Sequence, residues 1–394
     1  MTNWNPLKYE TIPWKSSVEL EGLSRSSKSK ILPTYQSSIP NTIAEKNIIL
    51  PADLDVAISD LMINIGRFDL LQTQKGYSFP SVLLRSESAA SSQIENLTSS
   101  IRNIALAELT NKGPTNALLI AGNVFAMKKA LNISEKISNE TILHIHKTLM
   151  ESSLGNLAGE YRNEPVWIGG TSYSPHQATF VPVHHSKLEY YMNDLVIYSK
   201  RIDVNPIVKA AILHAQFETI HPFVDGNGRT GRTLIHKSLK DDGVLHTIAL
   251  PISAGLLNNL DSYLNSLKAY QEGNPLPIIE QVFKAIELSL AIGENVSAKI
   301  SSIIQNWENI INERKTSTIW KLIYLLIEQP VINTNLIKEK LHLTLRGANK
   351  LIDRAIGYGI LTKFGNQKKG MFYQSSEIIA VLDDITQIKK LYRI

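Results

Sequence analysis

The chain has no cysteine among its 394 residues, and this absence excludes several kinds of site. Without thiols it can form no disulfide, no zinc–thiolate centre, no cysteine-held iron–sulfur cluster and no cysteine nucleophile. Long apolar runs are also lacking, since no uncharged stretch approaches the ~18 residues that cross a membrane. Polar residues and two prolines occupy the first fifteen positions, where a secretory signal would place an apolar segment. We therefore expect a cytoplasmic protein with no membrane partner.

The composition is that of a globular protein. Hydrophobic residues make up 43% of the chain and charged residues 20%, unlike the low hydrophobicity of disordered chains. At ~100 to 200 residues per domain, the length predicts two or three domains. The net charge of +5 is unevenly distributed, because 13 Lys and Arg stand against 6 Asp and Glu from Lys315 onward. The excess positive charge is therefore C-terminal.

Apolar residues recur at helical spacing through most of the chain, which predicts a mainly α fold. No internal repeat is present, so a solenoid is not expected. Helices are predicted at 52–71, within 82–108, and at 116–131, 138–152, 185–199, 206–220, 231–241 and 256–272.

Two parts of the chain depart from this helical pattern. The first fifty residues are rich in Ser, Pro and Lys without clear periodicity, so we expect an extended arm on the surface. Residues 166–173 and 178–182 are short strand-like runs around a turn that contains Gly, Ser and Pro. They predict a β-hairpin.

The last eighty residues change in character. Helices are predicted at 318–328, 334–341 and 344–357, followed by short strands at 360–364 and 371–373 around a basic turn. This order is typical of a winged helix-turn-helix domain. Its third helix carries Arg346, Lys350 and Arg354, so residues 344–373 are candidates for DNA binding. Winged helices also serve in protein docking and dimerisation, and the sequence leaves these roles open.

One segment, residues 221–232, reads HPFVDGNGRTGR and leads into another predicted helix. Its Gly226, Asn227 and Gly228 permit backbone angles that let successive N–H groups converge on one anion. At the start of a helix, the positive end of the helix dipole strengthens the attraction for a phosphate. Arg229 and Arg232 lie three residues apart on one helical face and add two cations for phosphate oxygens.

Two further side chains of this segment complete a set suited to phosphoryl or nucleotidyl transfer. Asp225 is the hard oxygen ligand that a phosphate-bound Mg²⁺ prefers. Histidine changes its charge near neutral pH, so His221 can take a proton from an attacking hydroxyl. A glycine-rich loop that only joins helices is the alternative for any single residue. Twelve consecutive residues with complementary roles favour a functional site.

At every specified position, residues 221–232 resemble the signature His-x-Phe-x-Asp/Glu-Gly-Asn-Gly-Arg-x-x-Arg of the Fic family. The resemblance covers roughly residues 52–300. It implies a helical Fic fold and transfer of AMP from ATP to a Ser, Thr or Tyr hydroxyl of a target protein. By position, His221 would be the base and Asp225 the Mg²⁺ ligand. The three residues from Gly226 would form the anion hole, the two arginines would bind phosphate, and Phe223 would anchor the loop.

The resemblance also bears on alternative chemistry. The related Doc kinases carry lysine in place of the second glycine of the anion hole, so Gly228 argues against phosphoryl transfer. Transfer of another phosphate-containing group, such as phosphocholine, stays open. Tyr263 and Gln271 occupy positions that resemble the adenine-side contacts of the family, although a tyrosine at helical spacing is also typical of a core.

Residues 91–96 resemble the inhibitory motif Ser/Thr-x-x-x-Glu-Gly/Asn of the family, with Ser91, Glu95 and Asn96 at its specified positions. The resemblance implies that Glu95 pairs with Arg232 and withdraws it from the γ-phosphate of ATP. An arginine engaged by a carboxylate cannot also clamp a phosphate, so the activity would be restrained. In some relatives the same glutamate is linked to removal of AMP, so this chain is a candidate both for adding AMP to a target and for removing it.

The resemblance further defines domains and partners. Residues 1–115 would hold the arm and the inhibitory helices, 116–300 the Fic catalytic domain and 315–394 the winged helix. The hairpin at 167–182 resembles the family's flap, which holds a target segment by strand addition; a surface hairpin without a partner is the alternative. Self-modification and a homodimer are compatible with this assignment.

A second hypothesis is a DNA-binding regulator whose Fic-like domain only senses nucleotide. The two are not exclusive, because a self-modifying enzyme could control its own promoter. The remaining histidines lack metal-ligand spacing with a matching carboxylate, so we expect core or surface roles for them; they include His144, His146, His176, His184, His185 and His214.

Overall fold

The computed structural model describes residues 4–15, 22, 24–75, 79–365 and 371–386, and the account that follows concerns these residues. Helices dominate them, as the apolar spacing predicted. None of the described helices is both long and apolar enough to cross a membrane.

The N-terminal arm is more ordered than expected. Strand β1, Lys8–Pro13, pairs antiparallel with β2, Thr34–Ile39, and the short helix α1, Arg25–Lys28, lies between them in sequence. Tyr35, Ser37 and Ser38 of β2 are buried. The arm is extended, as expected, but these three residues are buried, so the expected surface position is wrong for them. Serines at buried strand positions conceal the apolar alternation by which a strand is usually detected.

The first long helix, α2 (Ala52–Thr73), lies where it was predicted. The single helix expected within 82–108 is two helices, α3 (Phe79–Ile94) and α4 (Ile101–Thr110). The chain turns at Asn96, whose φ of 61° is left-handed, a conformation that asparagine tolerates better than most residues. Ser100 precedes the second helix, and its side chain accepts the N–H of Asn103 and so caps it.

The following predicted helices are present as α5 (Thr115–Leu131), α6 (Asn139–Leu154), α7 (Leu188–Ser199), α8 (Pro206–Ile220) and α9 (Asn227–Asp241). The helix expected at 256–272 is divided into α10 (Ile252–Asn258) and α11 (Leu260–Gln271), and the 35-residue α12 (Leu276–Ile310) was not predicted.

The predicted hairpin at 167–182 contains no regular strand. It is held by two isolated antiparallel bridges, Ile168 with Phe180 and Thr171 with Ser174, and a 3-10 turn spans Pro175–Gln177. Gly169 and Gly170 both adopt positive φ, which turns the chain too sharply for a continuous ladder. The chain reverses direction here as predicted, but the two predicted strands do not form.

The C-terminal elements follow the predicted order. The helices are α13 (Thr318–Glu328), α14 (Thr334–Lys340) and α15 (Leu345–Gly357). A three-stranded antiparallel sheet with order β3-β5-β4 contains β3 (Val331–Ile332), β4 (Thr362–Phe364) and β5 (Phe372–Gln374), and α16 (Ser376–Thr386) follows it. The basic turn, with Lys368 and Lys369, lies outside the described residues. The winged helix-turn-helix assignment stays a prediction.

The chain divides into two compact units. The first contains Met1–Val56, Lys129–Asp242 and Asp261–Val282, and the second contains Ala57–Lys128, Gly243–Leu260 and Phe283–Ile394. In the first unit, α8 is buried along nearly its whole length, so it positions the segment that follows it. In the second unit, α3 is buried in the same way. The division into consecutive domains at 1–115, 116–300 and 315–394 stays a prediction.

Candidate active site

The candidate site begins where α8 ends. His221 adopts left-handed backbone angles, φ 51° and ψ 62°, and its N–H donates to Phe217 O at 2.8 Å. A left-handed residue directly after the last turn is a common helix stop, although glycine usually supplies it. The backbone of His221 is therefore fixed at the C-terminal end of a buried helix, and its side chain is only partly exposed.

The loop after His221 is closed by one side chain. The amide of Asn227 accepts the N–H of Phe223 at 2.9 Å and donates to Phe223 O at 2.8 Å. Both residues are buried, and the Phe223 side chain is completely so. The predicted anchoring role of Phe223 agrees with this placement. The side chain of Asn227 is engaged in holding the loop, and its predicted contribution to the anion hole would come from its backbone.

Gly226 is required at its position for two reasons. Its φ of 78° lies in the left-handed region, which side chains with a Cβ rarely adopt. A Cβ there would also lie 2.6 Å from Sδ of Met150 on α6. Gly226 is the N-cap of α9, so the N–H groups of Asn227 and Gly228 belong to a first helical turn that has no intrahelical acceptor for them. This is the backbone geometry of an anion site at a helix N-terminus.

The charged residues of the segment differ in exposure. The Asp225 side chain is 64% exposed, and its Oδ2 lies 3.8 Å from Nη2 of Arg229, which is mostly buried. Arg232 is buried one turn further along α9. Among the described residues, no group of three or more His, Cys, Asp or Glu could hold a metal ion by itself. A single exposed carboxylate still suits Mg²⁺, which usually takes one or two carboxylates together with substrate phosphates and water.

His146 on α6 also holds the loop, a role that no motif in the sequence indicates. Its ring stacks on Phe223 at 3.6 Å between centroids, nearly parallel. Its Nδ1 accepts the N–H of Gly159 at 2.9 Å, which leaves Nε2 to donate to Asp225 O at 3.0 Å. Burial lowers the pKa of His146 to about 4, so the ring is neutral at cellular pH. Core or surface roles were expected for this histidine; it lies in the core, and its contact with the backbone of Asp225 was not predicted.

Arg162 is the second residue that the sequence did not reveal. Its guanidinium donates to the carbonyl oxygens of His221 at 2.8 Å, Glu164 at 3.1 Å and Val183 at 2.6 Å. Its own backbone N–H donates to Pro222 O at 2.9 Å. Burial lowers the pKa of Arg162 to about 10, yet the side chain stays charged near neutral pH. A buried cation therefore fixes the backbone on both sides of the His221–Pro222 bond.

The proposed adenine-side residues lie on α11. Tyr263 is buried, and its hydroxyl lies 2.8 Å from Nε2 of the buried His214. Gln271 is half-buried, and its backbone carbonyl accepts the N–H of Leu7 at 2.8 Å. These placements are those of core and packing residues, and a contact with adenine stays a prediction.

The segment 167–182, which we call the flap, is bordered by the N-terminal arm. Ser38 of β2 donates its backbone N–H to Val181 O at 3.1 Å, and Trp167 packs edge-to-face on Trp14 at 5.7 Å between centroids. The arm thus supports the flap.

The candidate inhibitory residues end α3 in the second unit. Ser91 is buried in the last turn, and Glu95 is exposed just after it. Asn96 takes the left-handed position, where its N–H donates to Gln93 O at 3.0 Å. This geometry explains why the motif has glycine or asparagine at its last position. Pairing of Glu95 with Arg232 stays a prediction.

This chain is similar to known Fic proteins and to protein adenylyltransferases. Residues 136–239 match the model of the Fic/DOC family. A probable protein adenylyltransferase of Aquifex aeolicus is 30% identical over 203 residues, which are 50% of this chain and 57% of the relative. Protein adenylyltransferase fic-1 of Caenorhabditis elegans is 26% identical over 178 residues, 45% of this chain and 32% of the relative. The chain thus spans between about a third and somewhat more than half of these relatives.

Among solved structures, a Fic family protein from Desulfovibrio desulfuricans G20 superposes with a TM-score of 0.53 and 21% identity. The likeness covers 84% of this chain and 97% of that chain. The predicted mainly helical Fic fold is confirmed.

Proposed function

We propose that this chain, which carries a Fic domain at residues 136–239, is a protein adenylyltransferase. The observation that carries the proposal is the loop, closed by the Asn227 side chain, that joins His221 at the end of α8 to the anion-binding backbone at the start of α9. Transfer forms a bond between a target hydroxyl oxygen and the α-phosphorus of ATP and breaks the bond from that phosphorus to pyrophosphate. The hydroxyl proton passes to His221.

The other residues of the segment would bind and orient the nucleotide. Backbone N–H groups at the start of α9 would hold phosphate oxygens, and Arg229 and Arg232 would supply charge-assisted bonds to the remaining ones. Asp225 would hold Mg²⁺, which neutralises phosphate charge when bound. Gly228 favours AMP transfer over phosphoryl transfer.

The test is mass spectrometry of the protein after incubation with ATP and Mg²⁺, alone and with candidate target proteins. A gain equal to AMP, lost in His221→Ala, is the expected result. The matched control is His144→Ala, an exposed histidine on α6, which should label like the wild type. A gain equal to phosphate would mean a kinase, and no gain from any variant would mean that the domain does not transfer AMP.

We also propose that Glu95 restrains this activity by engaging Arg232. The left-handed turn at Asn96, which ends α3 beside Glu95, supports the assignment of the inhibitory motif. Glu95→Gly should increase AMP labelling, whereas Glu135→Gly, which removes an exposed loop glutamate, should not. Equal labelling of Glu95→Gly and wild type would refute the restraint. Incubating the AMP-modified protein without ATP tests removal of AMP, which Glu95→Gly should abolish.

The flap is the proposed binding edge for a target segment, since an extended peptide can add to the run that contains Ile168. The chain itself is a candidate target, and a second copy in a dimer is another. Mass-spectrometric mapping of the modified residue, together with light scattering of the modified and unmodified protein, distinguishes transfer within one chain from transfer between copies.

A second candidate function is DNA binding through residues 344–373. Arg346, Asn349 and Lys350 lie on the exposed face of α15, where they suit phosphate and base contacts. Arg354 donates to Glu313 Oε2 at 2.7 Å, so its charge is paired within the protein. In fluorescence anisotropy with duplex DNA, Arg346→Ala and Lys350→Ala should each weaken binding and reduce the salt slope by about 1. Lys284→Ala on α12 is the control, and equal binding by all variants would refute a role for α15.

A further inference from the structure

Three polar side chains of the first unit, one buried and two partly buried, lie together at the end of α8, and the Fic signature specifies only one of them. Glu218 lies one helical turn before His221 on α8, and its side chain is 12% exposed. Its Oε2 lies 3.9 Å from Nδ1 of His221, and its Oε1 lies 4.0 Å from Nδ1 of His214. The carboxylate is thus between two histidines, one of which is the proposed base.

The space for this carboxylate depends on a glycine of the facing helix. A Cβ at Gly231 would lie 2.5 Å from Oε1 of Glu218 and 3.0 Å from Nδ1 of His214. Gly231 occupies one of the two unspecified positions between Arg229 and Arg232. Its φ is not positive, so backbone freedom does not explain the glycine. The glycine is explained by the close approach of α8 and α9 around the carboxylate, which leaves no room for a Cβ.

Each oxygen of this carboxylate lies nearest to a different histidine, Oε1 to His214 and Oε2 to His221. Burial, and secondarily the charge of Arg232 on α9, lowers the pKa of His214 to about 3, so His214 is neutral. Its Nε2 lies 2.8 Å from the hydroxyl of Tyr263 on α11, which further fixes the ring. His214 is thus held in the core as a neutral ring, and His221 is the imidazole whose proton transfer a negative charge on Glu218 can assist.

We propose that Glu218 is a positioning residue for His221: its carboxylate faces Nδ1 and selects the tautomer in which Nδ1 carries the proton and Nε2 accepts one. The assignment rests on the proposed function, because it takes His221 as the base. It follows the general logic of a carboxylate that orients a catalytic imidazole and stabilises the imidazolium after proton transfer. The distance of 3.9 Å has to shorten by about 1 Å, as catalytic hydrogen bonds often do when substrate binds.

The first test is the rate of AMP transfer by Glu218→Gln, which keeps the shape and removes the charge. We expect kcat to fall at least about tenfold with KM for ATP within about twofold, because the change acts on the base and not on nucleotide binding. The acidic limb of the kcat–pH profile should move about one unit lower, because a nearby carboxylate favours protonated His221. Glu189→Gln, which removes an exposed glutamate on α7, is the charge-matched control and should leave both unchanged.

The second test needs no transfer activity. Nitrogen-15 NMR of histidine-labelled protein, with His221 assigned by comparison with His221→Ala, should show Nδ1 protonated in the wild type and a mixture of tautomers in Glu218→Gln. Gly231→Ala, whose methyl group displaces the carboxylate, should shift the tautomer in the same direction.

The two tests separate the inference from the function on which it rests. A tautomer shift in a chain that never transfers AMP would reject the proposed function and keep the positioning of His221. Normal transfer by Glu218→Gln with an unchanged pH profile and an unchanged tautomer would overturn the role of Glu218.

Discussion

Replacing Arg162 by lysine asks whether the backbone around His221 has to be held by a residue outside the signature segment. At 3.1 Å or less the guanidinium donates to three carbonyl oxygens, those of His221, Glu164 and Val183, and a weaker fourth bond of 3.4 Å reaches Ile220 O. Lysine keeps the charge, but its single nitrogen cannot reproduce a planar fork that reaches all three. At about 1.5 kcal/mol for each bond from a charged donor, the loss of two bonds costs about 3 kcal/mol of unfolding free energy.

The same substitution should also slow AMP transfer, because the carbonyl of His221 is one of the three. A displacement of about 1 Å in a catalytic group lowers a rate by roughly 100-fold. Urea unfolding measures the stability, and transfer is assayed at a temperature at which the variant remains folded. Arg201→Lys is the matched control, because Arg201 also donates to backbone carbonyls, those of Ala44 and Lys46. If Arg162→Lys transfers AMP as fast as Arg201→Lys, the backbone of His221 does not need this support.

Three further substitutions test other parts of the site. Gly226→Ala should weaken ATP binding in calorimetry and destabilise the fold by more than Gly243→Ala, which has a similar φ but no close neighbour such as Met150. Asn227→Ala removes both hydrogen bonds that close the loop, so transfer should fall at least about tenfold; an unchanged rate would contradict the loop's rigidity. The folded-state pKa of His214 lies well below that of an unfolded histidine, so the unfolded state binds more protons between pH 6.5 and about 3. The stability that neutral His214 contributes is complete above pH 6.5 and is lost as the pH falls. Between pH 6.5 and pH 5 it should lower the free energy of unfolding by about 2 kcal/mol. In His214→Gln, the free energy of unfolding should fall by about 2 kcal/mol less over the same pH range.

Periodic apolar spacing predicted helices best where the whole helix is amphipathic or buried and its ends carry clear signals. Helix α8 starts at a proline after an asparagine cap, and its predicted bounds match the structure. The break between α3 and α4 was missed, because a left-handed asparagine leaves no mark in the apolar pattern. Helix α12 was missed as well. It contains Gly293, which resembles a helix breaker but allows close approach of Phe68.

The site was predictable to the extent that its parts are consecutive. Residues 221–232 hold the proposed base, the anion site, the metal ligand and two arginines in one segment, so their chemistry can be recognised without a fold. His146 and Arg162 act through hydrogen bonds from side chain to backbone, and such bonds impose no spacing between the partners in the sequence. A lone buried histidine or arginine therefore looks like a core or surface residue until the chain is folded.

The geometry of the loop depends on residues that the signature does not specify. The carbonyl of Asp225 accepts from His146, and those of His221 and Pro222 accept from the side chain and the backbone of Arg162. A backbone group that is buried without such a partner costs about as much as a lost hydrogen bond, so removing these partners would favour another loop conformation. The reacting groups are therefore local in sequence, whereas the rigidity that makes them useful is assembled from α6 and the segment that follows it. A chain could match all twelve residues of the segment and still position the imidazole poorly. The contacts from outside the segment are thus as informative about activity as the signature itself.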